Sequence, residues 1–518
     1  MAKTKKPSPK TDADNAYAVH LAGDRALPIA VIDVGSNSVR LVVFESLTLN
    51  PATIYNEKVA CGLGRLVATR GKMGKPNIER ALRALRRFRM IVEELRAEEL
   101  HVIATAAVRE ASDGPIFIAA AEKICKQPIS VLSGAEEAEM AASGVRAGIH
   151  APDGVAGDLG GGSLELVNLV NGKNRSAVTL PLGGLRLLET HGEDFAAVRN
   201  RIDVELNALD WLEAGRDRPF YAVGGTWRAI ARLHMHYRDY PLHVLHQYRI
   251  SAGETTRFVR DLQDMPIDFF GGAEDISKSR VEVVPYGAAV LHRLIKRMRP
   301  SSIVICATGI REGLVYSRLA KSERKEDAFL ATCRLLASYR ARNPDYADDL
   351  ISWTDRLFQA AKITESAEEK RLRHAACLVA DLGWRSHPDY RSQQSVGVLE
   401  NAASTSIDHV GIAFLSLVIY FRHEGLVRDD FSNRFRSLIP RAMQKRARIL
   451  GAAIRAAQAL SVGETGILPA AKLKIKDEQL MITLTEDHAN LRGERLYNRF
   501  KVLAKELSLA APVNLRHT

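Results

Sequence analysis

Two short glycine-bearing turns constrain this chain more than any other feature. Asp33-Val34-Gly35-Ser36-Asn37-Ser38 and Asp158-Leu159-Gly160-Gly161-Gly162-Ser163 lie far apart yet share one plan. Each follows an apolar strand-like run, Ile29 to Ile32 and Gly154 to Gly157. Each precedes a second run, Val39 to Phe44 and Leu164 to Val170. An acid at a strand end can hold a cation or a water, glycines let backbone N–H groups approach a phosphate, and a hydroxyl adds a donor. One such turn is ordinary hairpin chemistry. Two at the same place in two similar units point to a duplicated fold with phosphate held in the cleft between.

The rest of the chain reads as α/β followed by helices. At 518 residues it has room for three or four domains. In the first unit the apolar pattern predicts a long helix from Pro76 to Leu95, strands at His101–Thr105 and Ile129–Leu132, and a helix at Glu136–Ala147. In the second, strands are expected at Ser176–Leu180, Phe220–Val223 and Ser302–Cys306, with helices between them. From Glu326 to about Ser461 helical periodicity dominates. Gly463 to Pro469 reads as a linker, followed by a hairpin (Lys472–Ile475, Gln479–Leu484) and a helix from Arg492 to Leu507. The expected divisions are a disordered basic tail over 1–24, α/β domains over 25–150 and 151–322, an all-helical domain over 323–465 and a small α+β module over 466–518.

Charge and cysteine usage narrow the function. A net charge of +12 favours an anionic partner, unless the basic surface serves solubility alone. No aromatic or recognition-helix pattern argues for sequence-specific nucleic-acid binding. The five cysteines are scattered without C-x-x-C spacing, which suits a reducing cytoplasm and speaks against a zinc or disulfide framework. The Lys- and Pro-rich start lacks a secretory apolar core, and no apolar run nears the ~20 residues a membrane span needs.

Several residues carry candidate chemistry. Ser133 and Glu136 fit a capping box, which leaves Glu137 free to take a proton from water or to sit as a solvated helix residue. Arg109 and Arg311 each follow a strand and are expected in loops, as phosphate contacts or surface ion-pair partners. Glu165 fits a water-bridged metal ligand or a polar position in strand alternation. Gly224-Gly225-Thr226 before a helix is a third phosphate cradle or a plain turn.

Taken in order, these pieces resemble the exopolyphosphatase and guanosine pentaphosphate phosphatase family of the actin, sugar kinase and Hsp70 superfamily. The matching segments are Val31–Ser38, Thr105–Ala111, Ser133–Ala138, Asp158–Glu165, Gly224–Thr226 and Gly309–Gly313. The resemblance implies two actin-like (ribonuclease H-like) domains flanking a cleft, and hydrolysis of a terminal phosphoanhydride. It implies Glu137 as general base. It places Ser36, Asn37, Arg109, Gly161, Gly162, Ser163, Gly225, Thr226 and Arg311 on phosphate, and Asp158, Glu165 and Asp33 toward a cation. Mg²⁺ is the implied ion, with K⁺ a second candidate, and a homodimer follows from resemblance alone.

The helical domain resembles the HD-like domain of long family members. No His in this chain is followed by Asp; Ala380-Asp381 stands where the pair is expected, so a second metal-dependent site is not expected. Arg371, Arg373, Arg385, Arg391, Arg441, Lys445, Arg446 and Arg448 are instead candidates for a basic channel, or for a solvated helix face. The functional expectation is processive removal of terminal phosphate from inorganic polyphosphate. Guanosine pentaphosphate hydrolysis and a non-catalytic polyphosphate or nucleotide sensor are the alternatives.

Overall fold

The computed structural model describes residues 27–402, 406–510 and 512–517. The basic tail expected over 1–24 lies outside the described residues. The described residues form two compact units, one within residues 1–240 and 245–325, the other within 241–244 and 326–518.

The first unit holds two lobes with one sheet each. Strands β1 (Ile29–Val34), β2 (Ser38–Phe44), β3 (Thr53–Ala60), β4 (Glu99–Ala104) and β5 (Ile129–Val131) form a sheet in the order β3-β2-β1-β4-β5. Strands β6 (Gly154–Leu159), β7 (Leu164–Val170), β8 (Lys173–Leu180), β9 (Phe220–Val223), β10 (Arg249–Ser251) and β11 (Ser302–Cys306) form the other, ordered β10-β11-β9-β6-β7-β8. Read from β8 to β11, the second sheet repeats the first. In each, the first two strands make a hairpin and the first pairs in parallel with the fourth. The duplication inferred from the turns is therefore present in the topology, with β10 added at one edge.

The apolar runs explain the cores. Ile32, Leu41, Phe88 and Phe117 are buried in the first lobe, and Leu166, Phe220, Trp227 and Ile303 in the second. Removing such side chains from water stabilises by roughly 1.5–3 kcal/mol each. Trp227 can be fully buried because its indole N–H donates to the Gly287 carbonyl at 3.1 Å. Pro76, unable to donate, stands at the start of the Lys75–Glu94 helix, where no donor is needed.

In the second unit, helices Ala328–Arg340, Tyr346–Ala360, Ala367–Leu378, Arg391–Ala402, His409–Glu424, Asp430–Arg436, Arg441–Ser461 and Glu494–Glu506 accompany a small sheet. Its strands are β12 (Lys472–Lys476), β13 (Gln479–Leu484) and β14 (Asn514–His517), in that order. Three readings change here. The stretch expected as a linker carries a four-residue helix, Ile467–Ala470. Leu468 is fully buried, and Arg356 donates to the carbonyls of Leu468 and Ala471 at 2.6 and 2.9 Å. Its glycines serve turns with positive φ, not slack: Gly463 at 82° and Gly466 at 87°.

The second change is β14, which pairs in parallel with β13 after the Glu494–Glu506 helix crosses over. The third concerns the proposed basic channel. Four of its arginines are spent on internal ion pairs. Arg371 bonds Asp327 at 2.5 Å, Arg373 bonds Asp355 at 2.7 Å, Arg446 bonds Glu369 at 2.9 Å and Arg448 bonds Glu506 at 2.7 Å. Asp381, at the position where the His-Asp pair is expected, is held by Arg422 at 2.8 Å. Among the described residues no helix is long and apolar enough to cross a membrane.

Candidate active site

The two glycine turns close in the same way. The Gly35 N–H donates to the Ser38 carbonyl at 3.1 Å, and the Gly160 N–H to the Ser163 carbonyl at 3.0 Å. The turns meet across the cleft. A Cβ added at Gly161 would lie 3.1 Å from Ser36 Cβ, and one at Gly162 would lie 3.0 Å from Ser36 Oγ. Side chains there would force the turns apart and fill the space that exposes their N–H groups. Ser36 is buried in this contact, and Ser163 is buried as well.

One open cleft of about 190 Å³ gathers most of the sequence-derived candidates. Asp33, Ser36, Asn37, Glu137, Asp158, Gly161, Gly162, Ser163, Glu165, Gly225, Thr226 and Arg311 all line it. Arg109 stands just behind, linked to the lining through Glu137. Gly224 has φ 110°, a conformation that favours glycine, and turns the chain from β9 into the Gly225–Tyr237 helix.

Glu137 is placed as the capping box requires. Ser133 Oγ accepts from the Glu136 N–H at 3.3 Å, while Glu136 Oε2 accepts from the Ser133 N–H at 2.8 Å. Glu136 is thereby occupied at the helix start. Glu137 turns inward, is 5% exposed, and accepts from Arg109 Nη1 at 3.1 Å. Arg109 also donates to the Leu132 carbonyl at 2.5 Å. Both expected loop arginines sit on helices instead. Arg109 lies on the short Ala106–Glu110 helix and Arg311 is the second residue of Ile310–Arg318. Alanines favour the first helix. Glu312 starts the second by accepting from the Gly309 N–H at 2.8 Å.

The helices bearing Glu137 and Arg311 are locked together by glycine. A Cβ on Gly313 would sit 1.9 Å from the Met140 carbonyl oxygen, and one on Gly144 would sit 2.3 Å from that of Gly309. This close crossing fixes the two helix starts. Arg311 reaches Asp33 at 3.1 Å.

The acids of the cleft are held away from their ordinary titration. Burial, with help from the charges of Asp158 and Asp33, pushes Glu137 up to about 7 against the pull of Arg109. Burial lifts Asp158 to about 6 despite Arg228. Asp33 is also raised by burial, against Arg311 and Arg40. Glu165 is raised well above its usual value by burial and by the charges of Glu137 and Asp158. It is 2% exposed and its Oε1 has no hydrogen-bond partner among the described residues.

Four cations of the cleft were not anticipated: Arg40, Lys58, Arg228 and Arg280. Arg40 pairs in register with Asp33 on one side and Lys58 on the other, so strand alternation was the available signal. Arg228 follows the Gly224–Thr226 turn on its helix. Arg280 lies on the four-residue helix Lys278–Val281, too short to show a period in the sequence. Burial and neighbouring guanidiniums hold Arg40 down to about 10. Lys58, exposed at the rim, is lowered to about 8 by partial desolvation and by the charges of Arg280, Arg40, Arg228 and Arg311. The register adds one contrast: Asp33 faces Arg40, whereas the equivalent Asp158 faces Glu165.

The sequence pattern of the Ppx/GppA phosphatase family matches residues 42–322, and that of the exopolyphosphatase C-terminal domain matches residues 329–510. The chain belongs to the Ppx/GppA phosphatase family. Exopolyphosphatase 1 of Mycobacterium leprae is 27% identical over 303 residues, which is 56% of this chain and 89% of that protein. The crystal structure of an exopolyphosphatase from Cytophaga hutchinsonii superposes with a TM-score of 0.51 at 24% identity, covering 56% of this chain and 97% of the other. That of an Aquifex aeolicus Ppx/GppA family member gives 0.47 at 22% identity, covering 56% and 97%. The Ppx/GppA fold, with its paired actin-like lobes, accounts for the duplicated sheets.

Proposed function

We propose that the chain is an exopolyphosphatase that removes terminal phosphates from inorganic polyphosphate, step after step along one chain. The observation that carries this reading is Glu137, a buried carboxylate held near neutrality beside Arg109 and opposite the two glycine turns. A general base works best when its pKa lies near the working pH.

Backbone N–H groups and hydroxyls of Ser36, Asn37, Gly161, Gly162, Ser163, Gly225 and Thr226 hold the terminal phosphoryl oxygens. Arg311 neutralises their charge, and Arg109 positions Glu137 while offering a further donor. Glu137 orients a water and takes its proton as the water oxygen bonds to phosphorus. The bridging P–O bond breaks, and its electron pair leaves with the shortened chain. Positioning and electrostatics supply most of the acceleration in such transfers.

The acids also fit a hard divalent cation held by two carboxylates, since Glu165 offers an unpartnered oxygen across the strand pair from Asp158. Mg²⁺ commonly rests on one or two carboxylates plus substrate phosphates. Asp158 and Glu165 are the residues we assign to it. When bound it supplies positive charge against the phosphate oxygens.

Polyphosphate is favoured over guanosine pentaphosphate because, among the described residues, no aromatic side chain lines the cleft to stack a base, while five cations face it. The deciding assay measures phosphate release with Mg²⁺ from long-chain polyphosphate and guanosine pentaphosphate side by side. Higher kcat/KM on polyphosphate, without intermediate lengths accumulating, is expected. Glu137→Gln should lower turnover by about 10²-fold or more. Preference for the nucleotide, or near-normal turnover of the variant, would sink the reading.

A further inference from the structure

One buried ring joins the elements that carry Glu137 and Arg311, and it does so from outside the cleft. The Gly134–Gly148 helix holds Glu137 in its first turn. At its far end the last carbonyls need donors from elsewhere, as at the end of any helix. His246 and Gln247 supply them together. His246 Nε2–H donates to the Gly148 carbonyl at 2.7 Å, and the Gln247 side-chain N–H donates to the same oxygen at 3.2 Å. The other ring nitrogen is also used: His246 Nδ1 accepts from the Ala307 N–H at 3.1 Å. Ala307 directly follows β11, and two residues later Gly309 caps the Ile310–Arg318 helix.

These partners fix the state of the ring. A backbone N–H can only donate and a carbonyl can only accept, so the imidazole is neutral with its proton on Nε2. The surroundings hold it tightly. His246 is 3% exposed. A Cβ added at Gly148 would lie 2.8 Å from His246 Cε1 and 2.2 Å from Thr308 Oγ1, so helix end, ring and loop are in contact. Gln247 has φ 58°, in the left-handed region that side chains disfavour. An extended chain would send consecutive side chains to opposite faces, whereas here both reach one oxygen.

Capping explains only half of this arrangement. A helix end needs a donor, and Gln247 already provides one. The bond from Ala307 is what capping leaves over. Ala307 lines the cleft with Gly309 and Arg311, and its carbonyl accepts from Arg228 Nη1 at 3.4 Å. His246 itself is not among the lining residues.

We propose that His246 is a positioning residue, which ties the loop before Arg311 to the far end of the helix that carries Glu137. This rests on the roles given to Glu137 and Arg311 above. Two amide substitutions each keep half of the ring's bonding. His246→Asn can place its amide oxygen where Nδ1 accepts from Ala307, and His246→Gln can place its amide nitrogen where Nε2 reaches Gly148. Phosphate release from tripolyphosphate with Mg²⁺ is measured per folded molecule, with unfolding temperature alongside. His246→Gln should lower kcat/KM about tenfold or more, while His246→Asn should stay within about threefold of the parent. Gln247→Gly, which loses a donor to Gly148 but leaves Ala307 held, should also stay within about threefold. On an Arg311→Lys background the loss from His246→Gln should shrink to about threefold or less, because the contact it positions is already impaired. Nitrogen NMR of the His246 ring should show the proton on Nε2. Parental activity in His246→Gln, equal losses in the asparagine and glutamine variants, an undiminished loss on the Arg311→Lys background, or a proton on Nδ1 each overturns the proposal. Failure of the underlying roles shows elsewhere, as retained turnover in Glu137→Gln; failure of this proposal alone leaves Glu137→Gln inactive and His246→Gln active.

Discussion

Gly313→Ala tests how the helix starts that carry Glu137 and Arg311 are held. The added Cβ would lie 1.9 Å from the Met140 carbonyl oxygen, and backbone cannot swing aside as a flexible side chain can. Restoring ordinary contact at 3.4 Å requires the Gly134–Gly148 and Ile310–Arg318 helices to part by about 1.5 Å. Overpacking of this kind costs about 1–3 kcal/mol, against which better helix propensity returns about 1 kcal/mol. The larger effect is on chemistry. Glu137 and Arg311 sit at the starts of the two helices, so the proposed base and the proposed phosphate contact move apart. A misplacement of about 1 Å can cost about 10²-fold in rate. The assay is steady-state phosphate release from tripolyphosphate with Mg²⁺, alongside thermal unfolding. Gly253→Ala is the control, because its Cβ meets nothing within 4 Å and should leave turnover unchanged. Full turnover in Gly313→Ala would refute the claim that this crossing positions the site. Lost stability with full turnover would leave the packing standing and remove its catalytic meaning.

Other expectations follow from the same charges. In the free enzyme kcat/KM should rise with pH through about 7, as Glu137 loses its proton, and fall above about 8, as Lys58 loses its charge. Lys58→Arg should abolish the alkaline fall, and an acid limb near 4.5, the ordinary glutamate value, would count against Glu137 as base. Glu165→Gln should stabilise the protein while reducing Mg²⁺-dependent turnover. A carboxyl raised by burial costs stability that accumulates as pH climbs from 4.5 toward its folded value. The gain in unfolding temperature should therefore be larger at pH 8 than at pH 5, and a loss at pH 8 would contradict it. Asp381→Ala should cost about 3–5 kcal/mol in urea unfolding, since it strands the buried Arg422 charge; a neutral result would show that Arg422 finds another partner.

What could be read in the sequence was what local chemistry fixes. Glycine turns between apolar runs gave both hairpins, because turn and flanking strands are contiguous. The Ser133-x-x-Glu136 spacing separated Glu136 from Glu137 for the same reason. Arg109 was misjudged as a loop residue because its helix, Ala106–Glu110, is too short to show a period. The cationic wall was missed because it assembles across strands and helices. Arg40 and Lys58 become neighbours only through the β2–β3 register, and Arg280 arrives on a single helical turn, Lys278–Val281, far along the chain. The arginines of the C-terminal unit were legible as a population but not as pairs, since a carboxylate such as Glu506 meets Arg448 only after folding.

The unlike partners of the two strand-end aspartates have one more consequence. A cleft built from two copies of one hairpin starts with an approximate twofold axis, and a perfect axis would let a linear substrate enter in either sense. Arg40 opposite Asp33, and Glu165 opposite Asp158, break that equivalence. One bank offers a pair of carboxyls that suits a cation and the other a fixed guanidinium, so the cleft acquires a direction. Exchanging the two residues, Arg40→Glu with Glu165→Arg, should keep the net charge of the cleft while reversing that sense. Such a protein tests whether vectorial entry, and not total charge, is what the second lobe gained when it diverged from the first.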